Sequence, residues 1–127
     1  MTLEIFIDSS SVFDNCGTMV TIDEFAAIDL RVGRIIEVED LEGARKPMYR
    51  LKVDLGAELG IRNLAAGLKN HYTRDEMLGR YVVVVANLAP KNIGKFVSEG
   101  MLLAADDGEK VSLLVPDREL KPGSRVR

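Results

Sequence analysis

The amino-acid sequence predicts an all-β protein with short helices. Strand signals recur along the chain in "RVGRIIEVED", "MYRLKVDLG" and "IRNLAAGL", and again in "YVVVV" and "MLLAADDGEKVSLLV". A short helical signal, "TRDEML", lies between the third and fourth predicted strands. A helix in this place among antiparallel strands is typical of the OB-fold, a five-stranded closed or partly open barrel.

The first predicted elements are a one-turn helix and a long strand. In "TIDEF", Thr21 is followed three residues later by Glu24, which is the spacing of a capping box. The strand "DLRVGRIIEVED" alternates, so residues of one parity are expected to share a face. These residues are Leu30, Val32, Arg34, Ile36 and Val38.

The middle of the chain predicts two more strands and a second short helix. In "MYRLKVDLG" apolar residues alternate with Arg50, Lys52 and Asp54, as in a half-buried antiparallel strand with one wet face. The segment "IRNLAAGL" is a weaker strand signal. Thr73 and Glu76 repeat the capping-box spacing, and the glycine of "MLGR" is expected to end this helix.

The remaining strands follow from β-branched residues and a turn. "YVVVVANLAP" predicts a strand that is buried on both faces and ends at Pro90. Asp107-Gly108 between apolar runs predicts a closing hairpin in "MLLAADDGEKVSLLVP". The tail "DRELKPGSRVR" is expected to form a loop and a short strand.

The 127 residues are expected to form one domain, with residues 1–20 as an N-terminal extension and residues 21–127 as the OB-fold domain. The start lacks the basic region of a signal peptide, and no apolar run is long enough for a transmembrane helix. Because Cys16 is the single cysteine, no internal disulfide is expected. These features favour a cytoplasmic location.

The charge is unevenly distributed although the net charge is only −3. Residues 1–44 carry ten acidic and two basic side chains, whereas residues 45–95 carry ten basic and four acidic ones. This asymmetry suggests a polar partner on one face, with scattered solvated charge as the alternative.

The sequence disfavours an enzyme. It has one histidine, His71, and one cysteine, and it lacks the glycine-rich phosphate-binding motifs and the G-x-S-x-G nucleophile motif. No spacing of His, Cys, Asp and Glu suggests a metal site. We therefore expect no catalytic residues, no metal and no cofactor.

The segment "NLAPKNIGKFVSEGM" is the best candidate for binding. Lys91 and Lys95 can neutralise phosphate, and Asn92 between them can contact polar edges. Ser98 offers a hydroxyl and Met101 a soft apolar surface. The alternative is a bulge followed by a core strand. In OB-folds, strands 2 and 3 and their flanking loops are the usual oligonucleotide site, and Arg50, Lys52 and Arg62 fall in those two strands.

Several strings closely resemble the tRNA-binding domain family: "DLRVGRIIEVE", "RLKVDLG", "GLKNHY", "LGRYVVVVANLAPKNIGKFVSEGMLLAADDGEKVSLLVP" and "KPGSRV". The family includes OB-folds appended to methionyl-tRNA synthetases and free-standing tRNA-binding proteins, and the resemblance spans about residues 22–127. It implies a non-catalytic, structure-specific tRNA-binding protein, with an accessory, beta-subunit-like role beside methionyl-tRNA synthetase.

The resemblance also implies which residues contact RNA. Residues matching or flanking the family motif are expected to face phosphates or an unstacked part of the tRNA. The residues that match the motif are Arg62, Lys91, Lys95, Ser98 and Met101. Arg45, Lys69, Asn92 and Glu99 complete the predicted RNA-binding set because of their charge or their place beside these residues. The chain departs from the family pattern at Ala66, which stands where the family has a serine.

A second branch of the family gives an alternative function. "ARKPMYRL" and "DLGAELGI" resemble the CsaA-type chaperones involved in protein export. This branch implies a peptide-binding groove for unfolded protein, formed by Met48, Tyr49, Phe96 and Met101. Both branches imply a homodimer built with the terminal segments. The expected partners are tRNA, a synthetase or an unfolded peptide, and no membrane.

Overall fold

A computed structural model describes residues 18–127. Cys16 and most of the expected N-terminal extension lie outside the described residues. The helices are α1 (Ile22–Ala26), α2 (Gly56–Leu59) and α3 (Arg74–Met77). The strands are β1 (Leu30–Asp40), β2 (Tyr49–Asp54), β3 (Ile61–Ala66), β4 (Tyr81–Val85), β5 (Lys91–Ile93), β6 (Phe96–Ser98), β7 (Met101–Leu102), β8 (Ala104–Asp106), β9 (Val111–Leu113) and β10 (Arg125–Val126). No helix in this part of the chain is long and apolar enough to cross a membrane.

Five antiparallel strands form a nearly closed barrel in the order β3-β2-β1-β4-β7, which confirms the predicted fold class. The long strand β1 pairs with β4 through its first half and with β2 from Arg34 onward. One strand thereby belongs to both sides of the barrel. The helix α3 lies between β3 and β4, as the element order predicted.

The barrel encloses a single apolar core. Its fully buried side chains come from β1, β2, β3, β4 and α3 and from Leu55 just after β2. They include Ile35, Leu51, Val53, Leu55, Leu64, Met77, Val82 and Val84. The alternation in β2 places Leu51 and Val53 in this core, so Arg50 and Lys52 point outward. This outward face is where the candidate site begins.

The predicted shared face of β1 does not continue past the middle of the strand: Val32 and Arg34 lie on one face, but Val38 lies in the core on the opposite face. The pairing of β1 with β2 shifts between Ile35 and Glu37, which marks a β-bulge. Ile35 is fully buried while Ile36 is 42% exposed, so the inward parity changes along the strand. Before the bulge, Gly33 faces inward, and a Cβ there would lie 2.6 Å from Val53 Cγ1.

The barrel is closed by side chains between β3 and the turn after β6. The Glu99 amide donates to the Asn63 carbonyl at 2.8 Å, and the Asn63 amide donates to Glu99 Oε1 at 2.9 Å. Two residues further along β3, the Ala65 amide donates to Ser98 Oγ at 3.0 Å. Two side chains therefore satisfy the edge of β3 where a full strand would otherwise pair.

Both predicted capping boxes are confirmed. Thr21 Oγ1 accepts from the Glu24 amide at 3.1 Å, and Glu24 Oε1 accepts from the Thr21 amide at 2.8 Å. Thr73 and Glu76 make the same pair of bonds at the start of α3. The hydrogen bonds from Thr21 and Thr73 lower the pKa of the Glu24 and Glu76 carboxyls below the ordinary value of 4.5.

The last third of the chain differs from the prediction in two places. The strand β4 already ends at Val85 rather than at Pro90, and the binding candidate "KNIGKFVS" forms a hairpin of β5 and β6. The Asp107-Gly108 hairpin is confirmed, but its first strand is interrupted at Leu103. As a result β7 belongs to the barrel, and β8 and β9 form a separate two-stranded sheet. The short strand expected in the tail is β10.

Candidate nucleic-acid interface

The outer face of β1, β2 and β3 carries polar side chains in two cross-strand rows. Lys52 lies opposite Glu37 on β1 and opposite Asn63 on β3. Arg50 lies opposite Glu39 and Ala65 in the next row. Residues directly opposite one another in antiparallel strands share a face, so these rows form one polar surface.

The β5–β6 hairpin and the loop 41–48 border this surface. Phe96 lies against the same hollow as Arg50 and Lys52. At the tip of the hairpin, a Cβ on Gly94 would lie 3.7 Å from the Gly43 carbonyl oxygen, so the hairpin and the loop 41–48 approach each other. Lys95 is next to this approach.

We call the resulting depression the outer groove. It consists of two adjoining hollows that share Arg50 and Phe96, and it is lined by Glu37, Glu39, Asp40, Leu41, Glu42, Arg50, Leu51, Lys52, Asn63, Lys95 and Phe96. The lining has three cations, one amide group, an aromatic ring and four carboxylates. Cations and a ring in an open groove can hold a strand of nucleic acid by phosphate contact and base stacking.

Carboxylates contact some of the cations at the groove. Arg50 Nη2 forms an ion pair with Glu39 Oε1, and both side chains remain about half exposed. Lys69 Nζ lies 3.0 Å from Asp40 Oδ1. Lys52 Nζ instead donates to the Asn63 side-chain oxygen at 3.2 Å. Because such exposed pairs contribute little stability, they can open for an anionic ligand.

Four of the predicted RNA-binding residues are exposed around the groove. Lys95 lines it, Arg45 lies in the adjoining loop, and Lys91 lies opposite Ser98 in the hairpin. Asn92 pairs with Val97 and lies on the other face of the hairpin. Within residues 18–127, the side chains of Arg45, Lys91 and Lys95 form no ion pair.

Three other implied residues take part in closing the barrel. Ser98 is only 6% exposed, and its hydroxyl accepts from Ala65 and donates to the Gly100 carbonyl oxygen at 3.2 Å. Arg62 donates to the Ala86 carbonyl oxygen at 2.9 Å and to the Glu99 carbonyl oxygen at 3.4 Å. Glu99 binds the edge of β3. Direct RNA contact by these three residues stays a prediction.

Met101 lies outside this seam. It is 45% exposed on β7, where it pairs with Val85 of β4. The other residues named for the alternative peptide groove are divided between core and surface. Tyr49 is 4% exposed and donates its hydroxyl to the Tyr72 carbonyl oxygen at 2.8 Å, whereas Phe96 lines the outer groove and Met48 is half-buried.

His71 lies in a polar cleft between the end of β3 and the start of α3, together with Tyr49, Lys69 and Thr73. In the part of the chain that the structure describes, no three His, Cys, Asp or Glu side chains come together as a metal site. Elsewhere, the hydrogen bond that the Arg31 guanidinium donates to Asp29 at 2.7 Å raises the pKa of Arg31.

Arg50, Lys52, Asn63 and Phe96 were not among the RNA-binding residues implied by the resemblance. The alternation of "YRLKVD" was the available signal, because it placed Arg50 and Lys52 on the wet face of β2. No sequence pattern indicated that Phe96 and Asn63 line the groove, because their position depends on how the β5–β6 hairpin folds over β3.

Residues 30–125 match the family model described as "Putative tRNA binding domain". The chain belongs to this family. The methionine–tRNA ligase of Pyrococcus furiosus is 58% identical over 108 residues, which are 85% of this chain and 14% of that protein. The ligase of Leptospira biflexa is 48% identical over 108 residues, 85% of this chain and 16% of that protein. This chain therefore spans about a seventh of the length of such relatives.

Solved structures of chaperone CsaA share the fold over their whole length. CsaA from Picrophilus torridus has a TM-score of 0.81 and 40% sequence identity, with 86% of this chain and 100% of that chain covered. A protein related to methionyl-tRNA synthetase from Pyrococcus horikoshii has a TM-score of 0.79 and 28% identity, with 87% and 100% covered. The resemblance to both branches of the family is confirmed.

Proposed function

We propose that this chain is a non-catalytic, structure-specific tRNA-binding protein that acts as an accessory module of methionyl-tRNA synthetase. The observation that carries the proposal is the outward pair of Arg50 and Lys52 on β2, beside Phe96 and Lys95 of the hairpin. Membership of the tRNA-binding domain family and the 58% identity to a segment of a methionine–tRNA ligase support it.

In this proposal, phosphates are neutralised by the exposed cations in and around the outer groove: Arg45, Arg50, Lys52, Lys91 and Lys95. An unstacked base lies against the ring of Phe96. Lys69 joins when a phosphate displaces Asp40, and Asn92 and Met101 extend the contact beyond the groove. Arg62, Ser98 and Glu99 support binding by holding the edge of β3 and the hairpin together.

A salt titration of tRNA binding tests the proposal. Neutralising about five phosphates should make log affinity fall with log salt at a slope of roughly 3.5 to 4.5. Lys52→Gln should lower that slope by about 0.7 to 0.9, because one contact is lost. Lys110→Gln, on the β8–β9 hairpin, removes the same charge outside the groove and serves as the control. A flat salt response in the wild type would contradict tRNA binding, and equal effects of the two variants would contradict the groove.

The second candidate is a CsaA-type chaperone that binds unfolded peptides during protein export. The similarity to CsaA from Picrophilus torridus favours it, because that match covers all of the neighbouring chain. Isothermal titration with an unfolded peptide and with total tRNA separates the two functions. Saturable peptide binding without a tRNA signal would favour the chaperone function.

We also propose a homodimer in which α1 is covered. Ile22, Phe25 and Ile28 follow one another at intervals of three residues and are 77%, 39% and 46% exposed. None of the residues of α1 is buried, so the barrel leaves this apolar face uncovered. Phe25→Asp should halve the mass measured by light scattering, while Val97→Asp on the hairpin should leave it unchanged. A wild-type monomer would refute the proposed dimer.

A further inference from the structure

One end of the outer groove combines two kinds of group that can bind a single unpaired nucleotide, an aromatic ring and positive charge. We call it the Phe96 pocket; it is lined by Glu37, Arg50, Leu51, Lys52, Asn63 and Phe96. The aromatic ring offers a stacking surface for a base. Arg50 and Lys52 offer positive charge for the adjoining phosphates.

Glu37 is the unexpected member of this pocket. It is half-buried on β1 and lies opposite Lys52, yet Lys52 Nζ donates to the Asn63 side chain at 3.2 Å instead. Within residues 18–127, the Glu37 carboxylate forms no ion pair and accepts no hydrogen bond. A carboxylate so placed repels phosphate, so it weakens the binding of any polyanion that offers no hydrogen-bond donor in return.

The other amide and carboxylate groups nearby are already occupied. Glu39 pairs with Arg50, and Asn63 binds both Lys52 and Glu99. Glu37 is therefore the acceptor that remains for a ligand among the described residues of the pocket. A carboxylate can accept a hydrogen bond from the amino group of cytosine, whereas uracil presents a carbonyl oxygen, which is itself an acceptor, at the same place.

We propose that the Phe96 pocket holds one unpaired, amino-bearing nucleotide of the RNA, with the base on Phe96 and its amino group donating to Glu37. This inference rests on the proposed tRNA-binding function and adds a base preference to it. Glu37 then acts as a specificity-determining residue. For a base with an amino group, the hydrogen bond to Glu37 offsets the unfavourable free energy of bringing an anionic RNA near this carboxylate. A base without an amino group makes no such bond.

Fluorescence anisotropy with labelled 12-residue oligonucleotides of cytidine and of uridine tests the preference in the full chain. The wild type should bind oligocytidine about tenfold more tightly than oligouridine. Glu37→Gln should reduce this ratio to about threefold or less, because glutamine also donates to the uracil oxygen. Glu42→Gln removes the same charge from the other end of the outer groove and should keep the wild-type ratio.

Variants of Phe96 test the stacking contact. Phe96→Leu should weaken binding of both oligonucleotides about tenfold, and Phe96→Tyr should restore it. Thermal melting of each variant separates lost binding from lost folding. If Phe96 only packs the hairpin onto β3, Phe96→Leu would lower the melting temperature together with the affinity.

The outcomes distinguish this inference from the function on which it rests. Salt-dependent tRNA binding with equal affinity for the two oligonucleotides would overturn the Phe96 pocket and leave the tRNA-binding function standing. Equal ratios in Glu37→Gln and Glu42→Gln would likewise overturn the specific contact, because general charge would then explain the preference. A wild type that binds neither tRNA nor oligonucleotide overturns both proposals.

Discussion

Replacing Ser98 with alanine removes one of the two side chains that close the barrel. The Ser98 hydroxyl accepts from the Ala65 amide at 3.0 Å and donates to the Gly100 carbonyl oxygen at 3.2 Å. Without the hydroxyl, the Ala65 amide has no partner on the edge of β3. A buried amide without a partner costs about 1–3 kcal/mol, and since Ala65 is only half-buried we expect about 1–2 kcal/mol.

Thermal unfolding measures this cost. For a domain of this size, about 1–2 kcal/mol corresponds to a fall in Tm of roughly 3–10 °C. Hydrogen exchange at the Ala65 amide should accelerate as well, because its bond is lost. Ser112→Ala is the matched control, since Ser112 is exposed on β9 and should leave the Tm nearly unchanged.

The result that would refute this reasoning is a Ser98→Ala variant with the Tm of Ser112→Ala and unchanged exchange at Ala65. Should such a variant also lose affinity for tRNA, Ser98 would contact RNA directly, as the resemblance to the tRNA-binding domain family implies. A joint loss of stability and affinity would instead mean that Ser98 supports the groove from within the barrel.

Two further predictions concern the backbone and pH. Gly123→Ala should destabilise the protein by about 2–4 kcal/mol in urea unfolding, because φ is +95° and the new Cβ would lie 2.5 Å from the Leu55 carbonyl oxygen. Gly108→Ala has a similar φ of +94° but open space, so it should cost only about 1 kcal/mol, and equal losses would contradict the steric explanation. The hydrogen bonds with Thr73 lower the pKa of Glu76 in the folded protein. The ionised carboxylate therefore stabilises the fold at pH values above the ordinary pKa of 4.5, and this stabilisation is lost as the pH falls through the pKa of the folded state. Between pH 6 and pH 3, Glu76→Gln should therefore lose less Tm than the wild type, and parallel losses would argue against the linkage.

Local signals were sufficient for most of the fold. Each capping box is contained in four residues, so Thr21 with Glu24 and Thr73 with Glu76 could be recognised without knowledge of the tertiary structure. The alternation in β2 likewise depends only on neighbours along the chain, and it placed Arg50 on the correct face.

The bulge in β1 could not be predicted in the same way. Ile35 and Ile36 are adjacent and equally apolar, so the alternation is consistent with either residue facing the core. The choice depends on packing across the barrel, where Gly33 leaves room for Val53 and Leu55 and the register with β2 shifts by one residue.

The candidate site shows the same division. Ser98 and Glu99 were expected to contact RNA, because they belong to the motif "NLAPKNIGKFVSEGM". The structure shows that these two side chains also bond to Asn63 and Ala65 of β3, which are more than thirty positions away in the sequence. No short-range pattern contains a hydrogen bond between such distant residues.

The sequence by itself determined the order of the barrel strands and of α1 and α3, the wet face of β2 and the membership of the tRNA-binding domain family, because these depend on neighbouring residues and on motif strings. Only the tertiary structure decided that the hairpin folds over β3, that Phe96 lies beside Arg50 and Lys52, and that Glu37 has no partner among the described residues. The physical reason is that closing a barrel pairs residues far apart in the chain, and those pairings determine which polar groups are used internally and which remain for a ligand.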